Sequence, residues 1–71
     1  MYEMFAKRIA PVADEKPTRL YGCKDIHDAV SDLQDTARMS AVLNYEMDAV
    51  GLVCTVFTKY GETIEFKAVE V

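Results

Sequence analysis

Residues 25–37, DIHDAVSDLQDTA, decide the fold of this chain because their apolar residues recur at helical spacing. Successive apolar positions are three, one, three and four residues apart, so they line up as one stripe along a helix. These positions are Ile26, Ala29, Val30, Leu33 and Ala37. Asp25 precedes Asp28 by three residues, where a carboxylate can accept a hydrogen bond from an unpaired first-turn amide. The segment predicts one amphipathic helix over about residues 24–40.

Strand patterns flank this helix on both sides. Residues 2–9 are apolar without clean alternation, which is typical of a strand covered on both faces, and residues 18–21 predict a short second strand. Two prolines bracket the stretch between them and predict an exposed loop over about residues 11–17. After the helix, apolar and polar residues alternate over 43–49. This alternation favours a strand with one wet face, and the competing interpretation continues the helix to a cap at Gly51.

The last twenty residues predict a hairpin, because valine, threonine, isoleucine and phenylalanine flank a turn at Tyr60-Gly61. Two registers fit this pattern. A two-residue loop pairs Phe57 with Ile64 and sets a lysine opposite a glutamate beside the turn. A three-residue loop, with the glycine in the left-handed region, pairs Val56 with Ile64 instead. Both faces of the first hairpin strand are apolar, so we expect the helix on one face and a protein partner or a second copy on the other.

Together these elements predict a single α+β domain over residues 1–71. The expected order is β-(short β)-α-β-β-β, ending in the hairpin. The helix packs on a small antiparallel sheet, which consists of the N-terminal strand and a C-terminal three-stranded meander.

Composition limits the function classes to which this chain can belong. With 71 residues, 51% hydrophobic and 28% charged, it is one small domain whose thin core favours self-association. A net charge of −4 and a pI near 4.7 oppose direct binding of nucleic acid. No apolar run approaches the roughly 18 residues of a membrane span, and no signal-peptide pattern is present. Two cysteines are too few for a secreted disulfide framework, so we expect a cytoplasmic protein that does not bind membranes.

Side-chain chemistry gives little support for catalysis or for a cofactor. Cys23, His27 and Cys54 are too few for structural zinc, which needs four ligands, usually in paired sets. The field at the helix start can lower the pKa of the Cys23 thiol, but no residue is placed to orient His27 as its base. The three glycines are isolated and form no phosphate-cradling loop. We therefore expect no catalytic residues, no metal and no cofactor.

Four aspartates, which we call the aspartate row, form the most distinctive feature of the helix. Asp25, Asp28, Asp32 and Asp35 are three, four and three residues apart. That spacing places them within about 80° of the helix surface. No lysine or arginine stands where it would neutralise the interior of the row, and like charges at these spacings cost a few tenths of a kcal/mol each. The row is either a solvated face that keeps the chain soluble or a docking surface for a basic partner.

Four further residues complete the candidate partner-binding set. Glu46 and Asp48 follow the helix and extend the negative charge of the middle third of the chain. Tyr21 and Tyr60 stand beside glycines in predicted turns, where tyrosine serves either as ordinary packing at a sheet edge or as an interface anchor. We expect these four residues to share a docking surface with the aspartate row.

The expected function is that of a non-catalytic acidic module, which docks on a larger protein with a basic surface and regulates or inhibits it. The groove of a nucleic-acid-handling enzyme is a surface of this kind. Small acidic inhibitors encoded by phages and mobile genetic elements are similar to this chain in size and charge, and in no sequence motif. Two alternatives stay open: a homo-oligomeric assembly subunit, with its sheet face covered by a second copy, and a small-ligand sensor.

Overall fold

Five strands and one helix form the computed structural model of this protein, which describes residues 1–71. They are β1 (Tyr2–Ala10), β2 (Thr18–Cys23), α1 (Ile26–Ala37), β3 (Val42–Asp48), β4 (Val53–Thr58) and β5 (Thr63–Glu70). The strands make one antiparallel sheet in the order β2-β1-β5-β4-β3, and α1 packs on it. This architecture confirms the predicted α+β class and the predicted order of elements.

The first and last strands of the chain are neighbours in the sheet. β5 lies at its centre, paired with β1 on one side and with β4 on the other. The ends of the chain meet as well, because the amide of Val71 donates to the carbonyl of Met1 at 3.0 Å. β2 returns along the outer side of β1 and β3 along the outer side of β4, so these two strands form the edges. The segment after the helix is therefore the strand that its alternation favoured, and the helical continuation to Gly51 is wrong.

The helix starts as predicted and ends earlier. Asp25 is its N-cap, with extended backbone angles and a side chain that accepts from the Asp28 amide at 3.0 Å. The predicted helix over residues 24–40 is too long, because α1 stops at Ala37. Ser40 would occupy the next position of the apolar stripe, and the Ala41 carbonyl already accepts from the Lys59 amide at 2.8 Å. The chain has thus joined the sheet before another helical turn can form.

The core is one cluster of eight buried side chains between α1 and the sheet. These are Met4, Cys23, Ala29, Leu33, Leu52, Cys54, Val56 and Ala68. In the helix, Ala29 and Leu33 are fully buried and Val30 and Ala37 partly so, while Ile26 is 47% exposed. α1 covers one face of the sheet alone, so within one chain neither β1 nor β4 is covered on both faces as their apolar composition predicted.

The C-terminal hairpin adopts the three-residue loop. Val56 pairs with Ile64, and Gly61 has a positive φ of 80° that an L side chain would strain. The Gly61 amide donates to the Thr58 carbonyl at 3.1 Å, and the Thr58 amide donates to the Glu62 carbonyl at 2.9 Å. The two-residue register is therefore wrong.

We predict that Leu33→Ala destabilises the fold far more than Ile26→Ala, although both residues belong to one apolar stripe. Leu33 has no exposed surface, so its truncation leaves a cavity that costs about 3 kcal/mol. Ile26 is half exposed, and its truncation costs less than about 1 kcal/mol. Urea unfolding of the two variants and the wild type measures both values. Equal losses would contradict the assignment of α1's buried side.

Candidate docking surface

The aspartate row lies on the side of α1 that faces β2. Asp28 and Asp35 are exposed, whereas Asp32 is partly buried. The Cys23 thiol, at the end of β2, lies 3.7 Å from Oδ2 of Asp32 and donates to it. The row therefore forms a negative strip whose middle member contacts the edge strand of the sheet.

Tyr21 borders this strip from the side of β2. It is 43% exposed, so one side of its ring is available to a partner. Burial raises the pKa of its phenol, as do the charges of Asp32 and Cys23, a hydrogen bond with Asp32 and the charge of Asp35. Tyr21 therefore lies near enough to Asp32 and Asp35 for their charges to affect its phenol.

Cys23 behaves differently from what its position in the sequence indicated. Burial raises the pKa of its thiol, and the charge of Asp32, a hydrogen bond with that carboxylate and the charge of Asp28 raise it further. The expectation that the helix start lowers this pKa is wrong, because burial and two nearby carboxylates outweigh the favourable helix field. Burial also raises the pKa of the Cys54 thiol. Both cysteines are buried free thiols.

The negative charge of the row has no ion-pair partner within the chain. All three ion pairs lie elsewhere: Arg8 contacts Asp14 at 3.5 Å and Glu62 at 3.4 Å, and Arg19 contacts Glu3. The last of these neutralises the arginine on β2, the strand nearest the row. Asp25 accepts a hydrogen bond from the Asp28 amide, and Asp32 accepts one from the Cys23 thiol.

The other three candidate residues do not extend the row. Glu46 and Asp48 lie on β3, at the sheet edge opposite β2, and alternate with Tyr45 and Met47, which line a hollow beside the C-terminal end of α1. Oδ1 of Asp48 accepts from the amides of residues 50 and 51 at 3.1 and 3.0 Å, so this carboxylate closes the β3–β4 turn. Tyr60 lies in the β4–β5 turn, 70% exposed, with the Lys59 ammonium 5.5 Å from the centre of its ring.

A second surface feature, absent from the sequence prediction, lies on the opposite side of the sheet. It is a hollow of about 310 Å³ lined by Phe5, Lys7, Pro17, Glu65, Lys67 and Val69. The pairing of β1 with β5 brings five of these side chains together, although the two strands are about sixty residues apart in the chain, and Pro17 adds the sixth from the loop before β2. The one signal in the sequence is the alternation of charged and apolar residues along β5.

Comparisons with known proteins identify no relative of this chain. No protein-family model matches the chain, and neither curated proteins nor solved structures yielded a match. No group of three or more histidine, cysteine or acidic side chains is arranged to hold a metal ion. α1, the one helix, is neither long nor apolar enough to cross a membrane.

We predict that Asp32→Asn lowers the pKa of Tyr21 towards 10.0, because it removes a nearby charge and weakens a hydrogen bond. Asp28→Asn is the control, since Asp28 does not contribute to the shift of Tyr21. NMR titration of the tyrosine ring carbons measures the pKa in each variant. An unchanged value in Asp32→Asn, or equal changes in both variants, would contradict the placement of Tyr21 against the row.

The same shift links folding to pH. Because the folded protein holds the Tyr21 proton more tightly than the unfolded chain, its contribution to stability is complete below pH 10.0 and is lost as pH rises through the raised pKa. Asp32→Asn therefore makes the loss of stability above this pH shallower. Unfolding measured on both sides of that pH provides a second readout of the same contact.

Proposed function

We propose that this protein is a non-catalytic docking module, whose aspartate row and Tyr21 bind a basic surface on a larger protein and thereby regulate or inhibit it. The observation that carries the proposal is that none of the four row carboxylates has an ion-pair partner within the chain. The charge is concentrated along one helix side and remains available to cations from outside.

The spacing of the row suits an extended cationic surface. Asp25 and Asp35 are ten residues apart, so the row spans about 15 Å at 1.5 Å per residue. Like charges one turn apart repel each other by a few tenths of a kcal/mol, a cost that lysine or arginine side chains of a partner would reverse. Such a field also accelerates encounter with an oppositely charged surface at low salt.

Tyr21 adds area and shape to a contact that would otherwise be electrostatic. Its ring lies at the border of the row, half exposed, and burial, together with the charges of Asp32 and Asp35, raises the pKa of its phenol. Tyrosine anchors interfaces well because it brings a large rigid surface and one polar group at a low entropic cost. An arginine of the partner could pair with the row and stack on this ring at the same time.

The charge of the whole chain favours a protein partner over nucleic acid. A net charge of −4 repels phosphates, whereas a groove that evolved to hold nucleic acid presents the cations that the row would attract. Occupying such a groove would block its normal ligand without any chemistry. We therefore infer a cytoplasmic inhibitor or regulator of a nucleic-acid-handling protein, the mode of action of small acidic inhibitors from phages and mobile elements.

The proposal is tested by capture from a lysate of the source cells with immobilised protein. The test variant is Asp28→Lys/Asp35→Lys, which reverses two exposed members of the row and spares the Asp25 cap and the Asp32 contact. We predict that wild type retains a basic protein and that the variant retains at least about tenfold less of this protein. Raising the salt concentration from about 0.05 M to about 0.5 M releases the protein from wild type.

The matched control is Glu15→Lys/Glu70→Lys. It makes the same change in net charge at two exposed positions outside the row, so it separates docking from a general effect of charge. Amide NMR spectra establish that both variants stay folded. Retention of the same partner by the row variant, or equal losses in the row variant and the control, would refute docking through the row.

A further inference from the structure

The face of the sheet that points away from α1, here called the open face, has no covering layer. All eight buried residues belong to the cluster between α1 and the face of the sheet on which α1 packs. Yet the open face carries two of the three phenylalanines, Phe5 and Phe57, together with Val53 and Val69. An antiparallel sheet exposed on one face normally shows a polar row there, so this apolar content indicates a contact.

The open face carries charges of both signs, and Glu3 on β1 already pairs with Arg19 on β2. Lys7 on β1 and Lys67 on β5 border the hollow, and neither is in an ion pair. Glu65 lies opposite Lys7 in the strand register but beyond ion-pair distance. On β3, Glu46 and Asp48 point to the same face and are likewise outside every ion pair. The two unpaired lysines therefore lie on β1 and β5, and the acids Glu46 and Asp48 lie at the β3 edge.

The strand registers place Lys7 and Glu46 in one row across the sheet. Lys7 is opposite Glu65, Glu65 is opposite Thr55, and Thr55 is opposite Glu46. With neighbouring strands about 4.8 Å apart, the two residues stand about 14 Å from each other, too far to pair within one chain. Any interaction between them must connect two molecules.

We propose that the open face binds the open face of a second copy of this chain, with a twofold axis parallel to the strands. An axis midway between the stacked sheets, near the boundary of β4 and β5, exchanges β1 with β3 and keeps every residue in its row. It brings Lys7 of each copy opposite Glu46 of the other copy. Lys67 then lies one strand away from Asp48 of the other copy and opposite Val53 of that copy.

The area of the face is sufficient for such a dimer. Four strands, about 4.8 Å apart and about 25 Å long, overlap in this arrangement. The overlapping area of the face is on the order of 500 Å² per copy. Two copies therefore bury on the order of 1,000 Å² or more, close to the lower limit for specific interfaces. The dimer is accordingly concentration-dependent. It leaves the aspartate row exposed, because α1 lies on the other side of the sheet, so this inference does not depend on the proposed function.

Sedimentation velocity from about 10 µM to about 1 mM protein tests the dimer, together with charge reversals at the paired positions. We predict that wild type moves from 8.0 kDa towards twice that mass, and that Lys7→Glu or Glu46→Lys each raises the dissociation constant about tenfold. The double variant Lys7→Glu/Glu46→Lys restores association, because both intermolecular pairs are regained with reversed sign. Lys59→Glu, in the exposed β4–β5 turn, is the control and leaves association unchanged.

Several results would overturn this dimer. Wild type that remains a monomer at about 1 mM excludes it, and so does a single charge reversal that leaves association unchanged. A double variant that associates as weakly as the single variants shows that Lys7 and Glu46 do not face each other. Both positions are at least partly exposed, so the variants are expected to fold, and amide NMR spectra verify this before sedimentation.

Discussion

Burial of Leu33 and its neighbours against one face of the sheet is the interaction on which the rest of the structure depends. The chain has only eight buried side chains, and all of them lie in this single layer. Because Ala29 and Leu33 must point into it, the rotation of α1 about its own axis is determined. That rotation turns the aspartate row towards β2, and because α1 is the one helix and packs on this face, the far side of the sheet has no covering layer. Both candidate interaction surfaces are thus consequences of how one helix buries its stripe.

The two surfaces differ in how the chain tolerates them. The aspartate row concentrates repulsion on one helix, moderated by the Asp25 cap and by the Asp32 contact with β2. On the open face, Lys7 and Lys67 form no ion pair with Glu46 or Asp48 within one molecule. A partner of opposite charge would reduce the repulsion within the aspartate row. A second copy of the same chain would supply opposite charges to the open face. A dimer would therefore present two aspartate rows on its outer sides.

Local patterns in the sequence predicted the elements, and long-range pairing determined the surfaces. The helical stripe, the Asp25 cap and the alternation after residue 42 are each contained in a short segment, so the predicted class and order are correct. The effect of Asp32 on the pKa of Tyr21 depends on β2 becoming the edge strand beside α1, which no local pattern specifies. The hairpin register was undecided because both faces of β4 are apolar. It became fixed only when Cys54 and Val56 were buried against α1.

The expectation that Glu46 and Asp48 extend the row illustrates a different failure. Their alternation with Tyr45 and Met47 correctly predicted a strand, and the same alternation implies that the acids point away from whatever the apolar residues pack against. Proximity in the chain was taken as proximity in space. The residue row that joins Lys7 to Glu46 arises from three separate registers, and therefore could be found only in the folded structure.

The most direct test of the one-sided core is NMR line broadening by a soluble gadolinium complex, measured where the chain sediments as a monomer. The methyl groups of Leu33 and Val56 lie in the buried layer, whereas Val53 and Val69 lie on the open face. The account predicts little broadening for the first pair and strong broadening for the second. Equal protection of all four residues in the monomer, or strong broadening of Leu33, would contradict it.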